Sequence, residues 1–158
     1  MQKISTCLWF DGEAENAAAF YTSLFKNSKV TSLSRWGDVG PGEKGKVLTV
    51  MFELDGHEFI ALNGGPQYKF TEAVSLLVNC ESQEEVDHLW DSLVADGGEE
   101  SVCGWLKDKY GLSWQIVPTV LGELMSDPDP AKANRVTEAM LEMRRPDIKT
   151  LQEAHRGG

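Results

Sequence analysis

The sequence predicts an α+β fold made of two βαβββ-like modules, followed by extra helices at the C-terminal end. Three observations lead to this prediction. A short β-rich run is followed directly by an amphipathic helical pattern, the same order recurs about 70 residues later, and apolar residues at helical spacing return after residue 128. A strand and a helix that recur in one order indicate an internal duplication.

In the first module, residues 4–10 predict a strand because β-branched and aromatic side chains dominate them. Apolar side chains at helical spacing follow Gly12, so a helix is predicted with Asp11 as its N-cap. Three more strands are predicted at residues 29–36, 47–54 and 57–62. The dipeptide Asp55-Gly56 accepts the positive φ angles of a type I′ turn, so the last two strands should form a hairpin.

The second module repeats this plan with a strand at residues 73–80 and a helix that begins with a capping box of Ser82 and Glu85. Two strands are predicted at residues 100–105 and 112–119. In the tail, Asp129-Pro130 opens a helix, and residues 147–155 predict a short one. We therefore expect residues 1–158 to form a single domain, with module one at about 1–70, module two at about 71–120 and a helical tail at about 121–158.

Composition and charge narrow the possible partners. The 158 residues are 41% hydrophobic and 25% charged, and this length is enough to bury about 70% of the unfolded surface. The formal charge of −10 repels phosphate backbones and anionic lipids, so neither nucleic acid nor membrane is an expected partner. The three cysteines form no CxxC pair, and the apolar stretch at the start is too short for a signal peptide. We expect a cytoplasmic protein.

Three stretches carry a resemblance to a known family. They are Phe20-Tyr21 with Leu24-Phe25, the block CGWLKDKYGLSWQIVP at residues 103–118, and the ending AMLEMRRPDIKTLQEAHRG from Ala139. They resemble the vicinal-oxygen-chelate superfamily of glyoxalases, bleomycin-resistance proteins and extradiol dioxygenases, and most closely its PhnB-like group, also called demethylubiquinone methyltransferase-like. The resemblance implies a cupped, mostly antiparallel sheet, a homodimer and a small-molecule ligand.

The same resemblance implies where a metal would bind. The superfamily takes one ligand each from its first, fourth, fifth and eighth strands, and these positions match Thr6, Ala61, Ala73 and Gln115. Alanine has no donor atom, and a divalent ion prefers imidazole, carboxylate or thiolate ligands. A shift of two residues brings in only the neutral Asn63 and Ser75. We therefore predict no metal and no cofactor.

Strand parity and the family-like block select the candidate pocket. Its predicted lining is Thr6, Leu8, Trp36, Asn63, Ser75, Trp105 and Gln115. Hydrogen bonding to a ligand would fall to Thr6, Asn63 and Gln115, whereas Trp9 and Trp114 have the opposite parity and should pack beneath helices. Core packing is an equally good explanation for each tryptophan. No nucleophile and base are spaced so as to indicate a catalytic pair, so no catalytic residue is assigned.

The leading function is binding of a small organic molecule in a β-cup without the usual metal, with or without its conversion. One alternative is a metal-dependent lyase, isomerase or dioxygenase, and another is a drug-sequestering protein that takes a cationic ligand. The third is the methyltransferase-like activity that the group label suggests. It has little support from the residues, because the glycine-rich stretch at 37–45 lies between two predicted strands and not between a strand and a helix.

Overall fold

The computed structural model describes residues 2–157, which divide into two compact units that meet in sequence at Lys69 and Phe70. The first unit contains β1 (Thr6–Phe10), α1 (Ala14–Leu24), β2 (Lys29–Arg35), β3 (Val47–Leu54) and β4 (His57–Asn63). The second contains β5 (Ser75–Cys80), α2 (Gln83–Val94), β6 (Glu99–Glu100), β7 (Trp105–Lys107), β8 (Ser113–Pro118), α3 (Thr119–Met125), α4 (Pro130–Leu141) and α5 (Ile148–Arg156).

Each unit has a four-stranded mixed sheet, and the two sheets share one strand order. The order is β1-β4-β3-β2 in the first sheet and β5-β8-β7-β6 in the second. In both, the first strand pairs parallel to the last, and the other pairs are antiparallel. The α+β class and the duplicated βαβββ plan are therefore confirmed.

Helix α1 covers one face of the first sheet. Leu8, Ala61 and Val50 lie side by side on three neighbouring strands of that face, and all three are buried. The ring of Tyr21 from α1 packs against Phe52, with 6.3 Å between centroids. Because side chains alternate along a strand, Thr6, Leu8 and Phe10 point to this face, and Cys7 and Trp9 point to the other.

The start of α1 is capped from a distant strand. The predicted N-cap, Asp11, is wrong: the helix begins after Glu13, which makes no side-chain cap. The amide of Ala14 instead donates to Asn63 Oδ1 at 2.9 Å, and Asn63 Nδ2 donates to Glu15 Oε1 and to the Val47 carbonyl. Asn63, which is 49 positions away from Ala14 in sequence, thus caps the N-terminus of α1 in place of a neighbouring residue.

The second unit confirms the Ser82 side of the predicted capping box and adds a buried carboxylate. The amide of Glu85 donates to Ser82 Oγ at 3.2 Å, although the Glu85 carboxylate accepts from the amide of Glu81 and not from that of Ser82. Asp108 is only 2% exposed, and it joins β7 to β8 by accepting from the amides of Tyr110 and Leu112 and from the Trp114 indole.

The strand predicted at residues 100–105 is wrong, because a turn interrupts it. Cys103 and Gly104 both have positive φ, at 58° and 83°. Their amides donate to the carbonyls of Met143 and Arg144 at 2.8 and 2.9 Å, so the tail supplies the partners that a neighbouring strand would supply. Helix α3 lies mostly within the predicted helical tail, but it begins at Thr119, the last residue of the strand predicted at 112–119.

The tail helices form a cluster of their own in the second unit. Its buried members are Leu121, Val136, Met140 and Leu151. Helix α4 begins at Pro130, as predicted, and Asp129 caps it by accepting from the amide of Ala131 at 3.0 Å. Arg135 of α4 donates to the carbonyls of Ala154 and His155 at 2.9 Å. These two carbonyl groups in the last turn of α5 thereby gain hydrogen-bond partners that the helix itself cannot supply.

An acid-sensitive contact also holds α5. Asp127 accepts from the amide of Asp129 and contacts His155 Nε2 at 2.8 Å, and these hydrogen bonds lower the pKa of Asp127. A carboxylate whose pKa is lowered on folding stabilises the fold above its unfolded pKa, about 3.9, and loses that contribution as pH falls through its folded pKa. We expect Asp127→Asn to lower the urea midpoint at pH 6, with the difference from wild type shrinking steadily below pH 4. A difference that stayed constant down to pH 2 would contradict this.

No helix in the described range, residues 2–157, has both the length and the apolar character needed to cross a bilayer.

Candidate functional site

The second sheet has one face turned away from α2 that carries polar and aromatic side chains in two rows. Cross-strand partners share a face, so Lys107, Ser113 and Ser75 form one row and Trp105, Gln115 and Leu77 form the next. We call these six residues the polar face. The opposite side carries the buried Leu106, Trp114 and Ile116.

Two contacts organise the polar face. Gln115 Nε2 donates to Ser75 Oγ at 2.9 Å, which fixes the amide across the parallel strands β5 and β8. Lys107 forms an ion pair with Glu72, just before β5. The hydrogen bond to Lys107 lowers the pKa of Glu72, and the same contact raises the pKa of Lys107. The one cationic side chain of the polar face is therefore already balanced.

Ser113 is the unusual member of the polar face. Its side chain is 1% exposed, and its hydroxyl has no hydrogen-bond partner among the described residues. A buried polar group without a partner costs about 1–3 kcal/mol, so such groups are rare, and each one calls for an explanation. Strand alternation places this hydroxyl on the same side as the Gln115 amide.

Ser113→Ala should therefore stabilise the protein. Removing a hydroxyl that has no partner relieves its desolvation cost, and we expect the free energy of unfolding to rise by about 1 kcal/mol. Urea denaturation measures the change. Ser92→Ala, which removes a hydroxyl from α2 in the same unit, is the control, and it should gain only the roughly 0.5 kcal/mol by which alanine exceeds serine in helix propensity. A loss of stability in Ser113→Ala would show that the hydroxyl has a partner.

The predicted pocket residues divide between the two units. In the second, Ser75, Trp105 and Gln115 lie together on the polar face, as their parity predicts. In the first, Thr6, Leu8 and Asn63 lie on the side of the sheet that α1 covers. There Leu8 is a core residue with 3% exposure, and Asn63 is engaged by α1. Sequence reasoning did not select Ser113 or Lys107, although the alternation of Ser113 and Gln115 with buried apolar residues could have indicated Ser113.

The tryptophans of the first unit pack against their own loops. A Cβ added to Gly42 or Gly40 would lie 2.1 or 2.6 Å from the Trp36 ring, so the glycine-rich loop closes over that ring. Trp9 lies on the face away from α1, against the expectation that it packs beneath a helix. Its indole donates to the Gly65 carbonyl at 2.8 Å, and its ring meets Tyr68 edge-on.

The side chains present do not fit a divalent metal. Two of the positions that the resemblance assigned to ligands, Ala61 and Ala73, have no donor atom, and Ala61 is buried beneath α1. No three His, Cys, Asp or Glu side chains within residues 2–157 form a group that could hold an ion. Burial raises the pKa of the Cys7 thiol, and that of Cys80 to about 12, which disfavours the thiolates that metals bind.

Comparison with known proteins agrees with this architecture. The model of the 3-demethylubiquinone-9 3-methyltransferase family matches residues 2–117. A PhnB protein from Bacillus cereus, named as a candidate 3-demethylubiquinone-9 3-methyltransferase, is 41% identical with a TM-score of 0.68, covering 75% of this chain and 100% of that one. No curated protein sequence gives a match.

More distant structures share the fold alone. Protein PA1353 of Pseudomonas aeruginosa is 17% identical, with a TM-score of 0.61 over 75% of this chain and 98% of that one. The fosfomycin resistance protein FosX of Listeria monocytogenes, as a mutant with Mn(II) and dihydroxypropylphosphonic acid, is 18% identical, with a TM-score of 0.53 over 78% and 99%. The fold is that of the vicinal-oxygen-chelate proteins, and the chain belongs to the PhnB-like 3-demethylubiquinone-9 3-methyltransferase family.

Proposed function

We propose that this protein binds a small organic molecule on the polar face of the second sheet, without a metal ion. The observation that carries the proposal is the buried hydroxyl of Ser113, which has no partner in the described part of the chain. A ligand atom that accepts a hydrogen bond there would satisfy it. The cost of the unpaired group in the free protein then becomes a gain in the complex.

The neighbours of Ser113 suit a ligand site. Trp105 is half-buried and Leu77 is 52% exposed, so both offer apolar surface on the face that carries the Ser75 and Gln115 polar groups. Small-molecule sites combine apolar and aromatic lining with a few fixed polar groups. The hydrogen bond from Gln115 to Ser75 holds one such group in place before any ligand arrives.

Metal-dependent chemistry and methyl transfer have weaker support. A metal-dependent reaction would need imidazole or carboxylate ligands, and the polar face offers hydroxyls, an amide and a paired lysine. Methyl transfer is suggested by the family name and needs a site for a methyl donor. The glycine-rich loop is a poor candidate because it connects the antiparallel strands β2 and β3 and its glycines accommodate Trp36. The proposal is therefore binding, and conversion is measured separately.

A fragment screen by NMR with ¹⁵N-labelled full-length protein tests the proposal. We expect hits to shift the amides of Ser113 and Gln115 and the indole of Trp105, and Gln115→Ala to weaken these hits while the rest of the spectrum is retained. Hits that shift only residues outside the polar face would overturn the proposal. Incubating confirmed hits with the protein, followed by mass spectrometry, detects conversion.

We also propose that the protein works as a cytoplasmic homodimer. The superfamily resemblance implies a dimer, and the edge strand β2 is exposed along its whole length, with Val30 46% and Leu33 44% exposed. A second copy would cover such apolar side chains. Light scattering should give twice the mass of the chain, and a mass equal to one chain at micromolar concentration would overturn the dimer.

A further inference from the structure

We infer, on the basis of the proposed function, that the ligand is an uncharged molecule with a flat apolar body and a hydrogen-bond-accepting oxygen at one edge. Three features of the second unit lead to this class: the charge balance of the polar face, the apolar side chains at the two ends of one row, and the hydrogen-bond donors in the other.

The charge balance disfavours an ionic ligand. Lys107 is the only charged residue of the polar face, and Glu72 already pairs with it. An anionic ligand would have to displace Glu72 from Lys107. The other carboxylate beside Lys107 is Glu99, on the edge strand β6. Glu99 is exposed, and Lys107 lies between it and Ser113 in the sheet. Solvent therefore screens the attraction of Glu99 for a cation.

The row Trp105, Gln115 and Leu77 favours a flat body. These residues lie on three adjacent strands, β7, β8 and β5, so the outer two are separated by roughly 10 Å across the sheet. Apolar side chains stand at both ends of the row, with the planar amide of Gln115 between them. A fused aromatic ring system has about this width, and it gains most by contact with an indole face.

The polar edge of the ligand lies against the row formed by Lys107, Ser113 and Ser75. Ser113 and Ser75 are opposite each other on paired strands. Ser75 Oγ accepts from Gln115, which leaves its own proton to donate, and the Ser113 hydroxyl has no partner among residues 2–157. Both serines can therefore donate to one oxygen. Because Ser113 Oγ has almost no solvent-accessible surface, a ligand oxygen reaches it only when the side chains that cover it move, and the hydrogen bond is then shielded from solvent.

Three probes with one ring system and three charge states test the inference: 2-naphthamide, 2-naphthoate and 2-naphthylmethylammonium. Their dissociation constants for the full-length protein are measured by NMR titration at 150 mM salt. We expect the neutral amide to bind at least tenfold more tightly than either ion and to shift Ser113 and Trp105. Ser113→Ala should weaken the amide about tenfold, as expected for the loss of one well-formed hydrogen bond. Ser92→Ala should leave its affinity unchanged.

The outcomes separate this inference from the proposed function. A charged probe that binds the polar face as tightly as the amide, or an amide affinity that Ser113→Ala does not change, overturns the ligand class and leaves binding at this face intact. The ligand class is also overturned, and binding at this face left intact, if none of the three probes shifts the signals of the polar face while other fragments do. If neither probes nor fragments shift the polar face, the proposed function fails as well.

Discussion

Asp108→Ala is expected to lower the free energy of unfolding by about 4 kcal/mol and the melting temperature by roughly 10 °C. The Asp108 carboxylate accepts from the amides of Tyr110 and Leu112 at 2.8 and 3.1 Å and from the Trp114 indole at 2.9 Å. Because Asp108 is buried, alanine would remove the acceptor of all three bonds, two of which, those of the Leu112 amide and the Trp114 indole, are buried away from water. Urea denaturation and calorimetry measure the loss.

Two variants control this experiment. Asp108→Asn keeps one oxygen for the backbone amides but turns an NH₂ group toward the Trp114 indole, so we expect an intermediate loss. Asp11→Ala removes an exposed carboxylate that makes no cap of α1, and it should change stability by less than about 0.5 kcal/mol. Equal losses in Asp108→Ala and Asp11→Ala would mean that the buried carboxylate contributes nothing to the β7–β8 connection.

Gly104→Ala is expected to cost about 3 kcal/mol. Gly104 has a φ of 83°, and an added Cβ would lie 2.7 Å from the Ile116 carbonyl oxygen and 3.2 Å from Pro146. A carbonyl within a sheet cannot move aside as a flexible side chain does. The collision would be relieved if the turn at Gly104 moved away from the C-terminal tail. Amide protons of the tail should therefore also lose protection from hydrogen exchange.

Gly111→Ala is the matched control because Gly111 has a φ of 87° and no atom within 4 Å of an added Cβ. It carries the same backbone strain without the collision, so its cost should be only about 1–2 kcal/mol. The difference between the two variants measures the close approach of Gly104 to β8 and the tail. If the two variants lost equal stability, that approach would carry no energetic weight.

The sequence was most informative where neighbouring residues determine the structure. The Asp55-Gly56 turn, the Ser82 cap and the Asp129 cap depend on residues within a few positions, and all three are present. Prediction failed where the deciding contact comes from far along the chain. Asn63 replaces the expected local cap of α1, and the tail carbonyls stabilise the turn around Gly104.

In the candidate site, too, the sequence predicts which face of a strand a residue occupies only where polar and apolar residues alternate. In β8, the polar Ser113 and Gln115 alternate with the apolar Trp114 and Ile116, so the pattern itself indicates which residues share a face. In β1, every residue after Thr6 is apolar or a cysteine, and no such pattern exists. The parity of that strand came only from the resemblance, and the structure places Thr6 and Leu8 on the side covered by α1.

Two copies of one strand order let the halves of this molecule specialise. The paired positions of β1 and β4 on the surface away from α1 are Cys7 with Ile60 and Trp9 with Leu62, whereas the corresponding pairs of β5 and β8 are Ser75 with Ser113 and Leu77 with Gln115. A duplicated unit that keeps its topology can lose polar groups in one copy while the other retains them. Laboratory evolution toward new ligands should therefore begin with the strands of the second repeat, and the first should tolerate apolar exchanges with little effect on recognition.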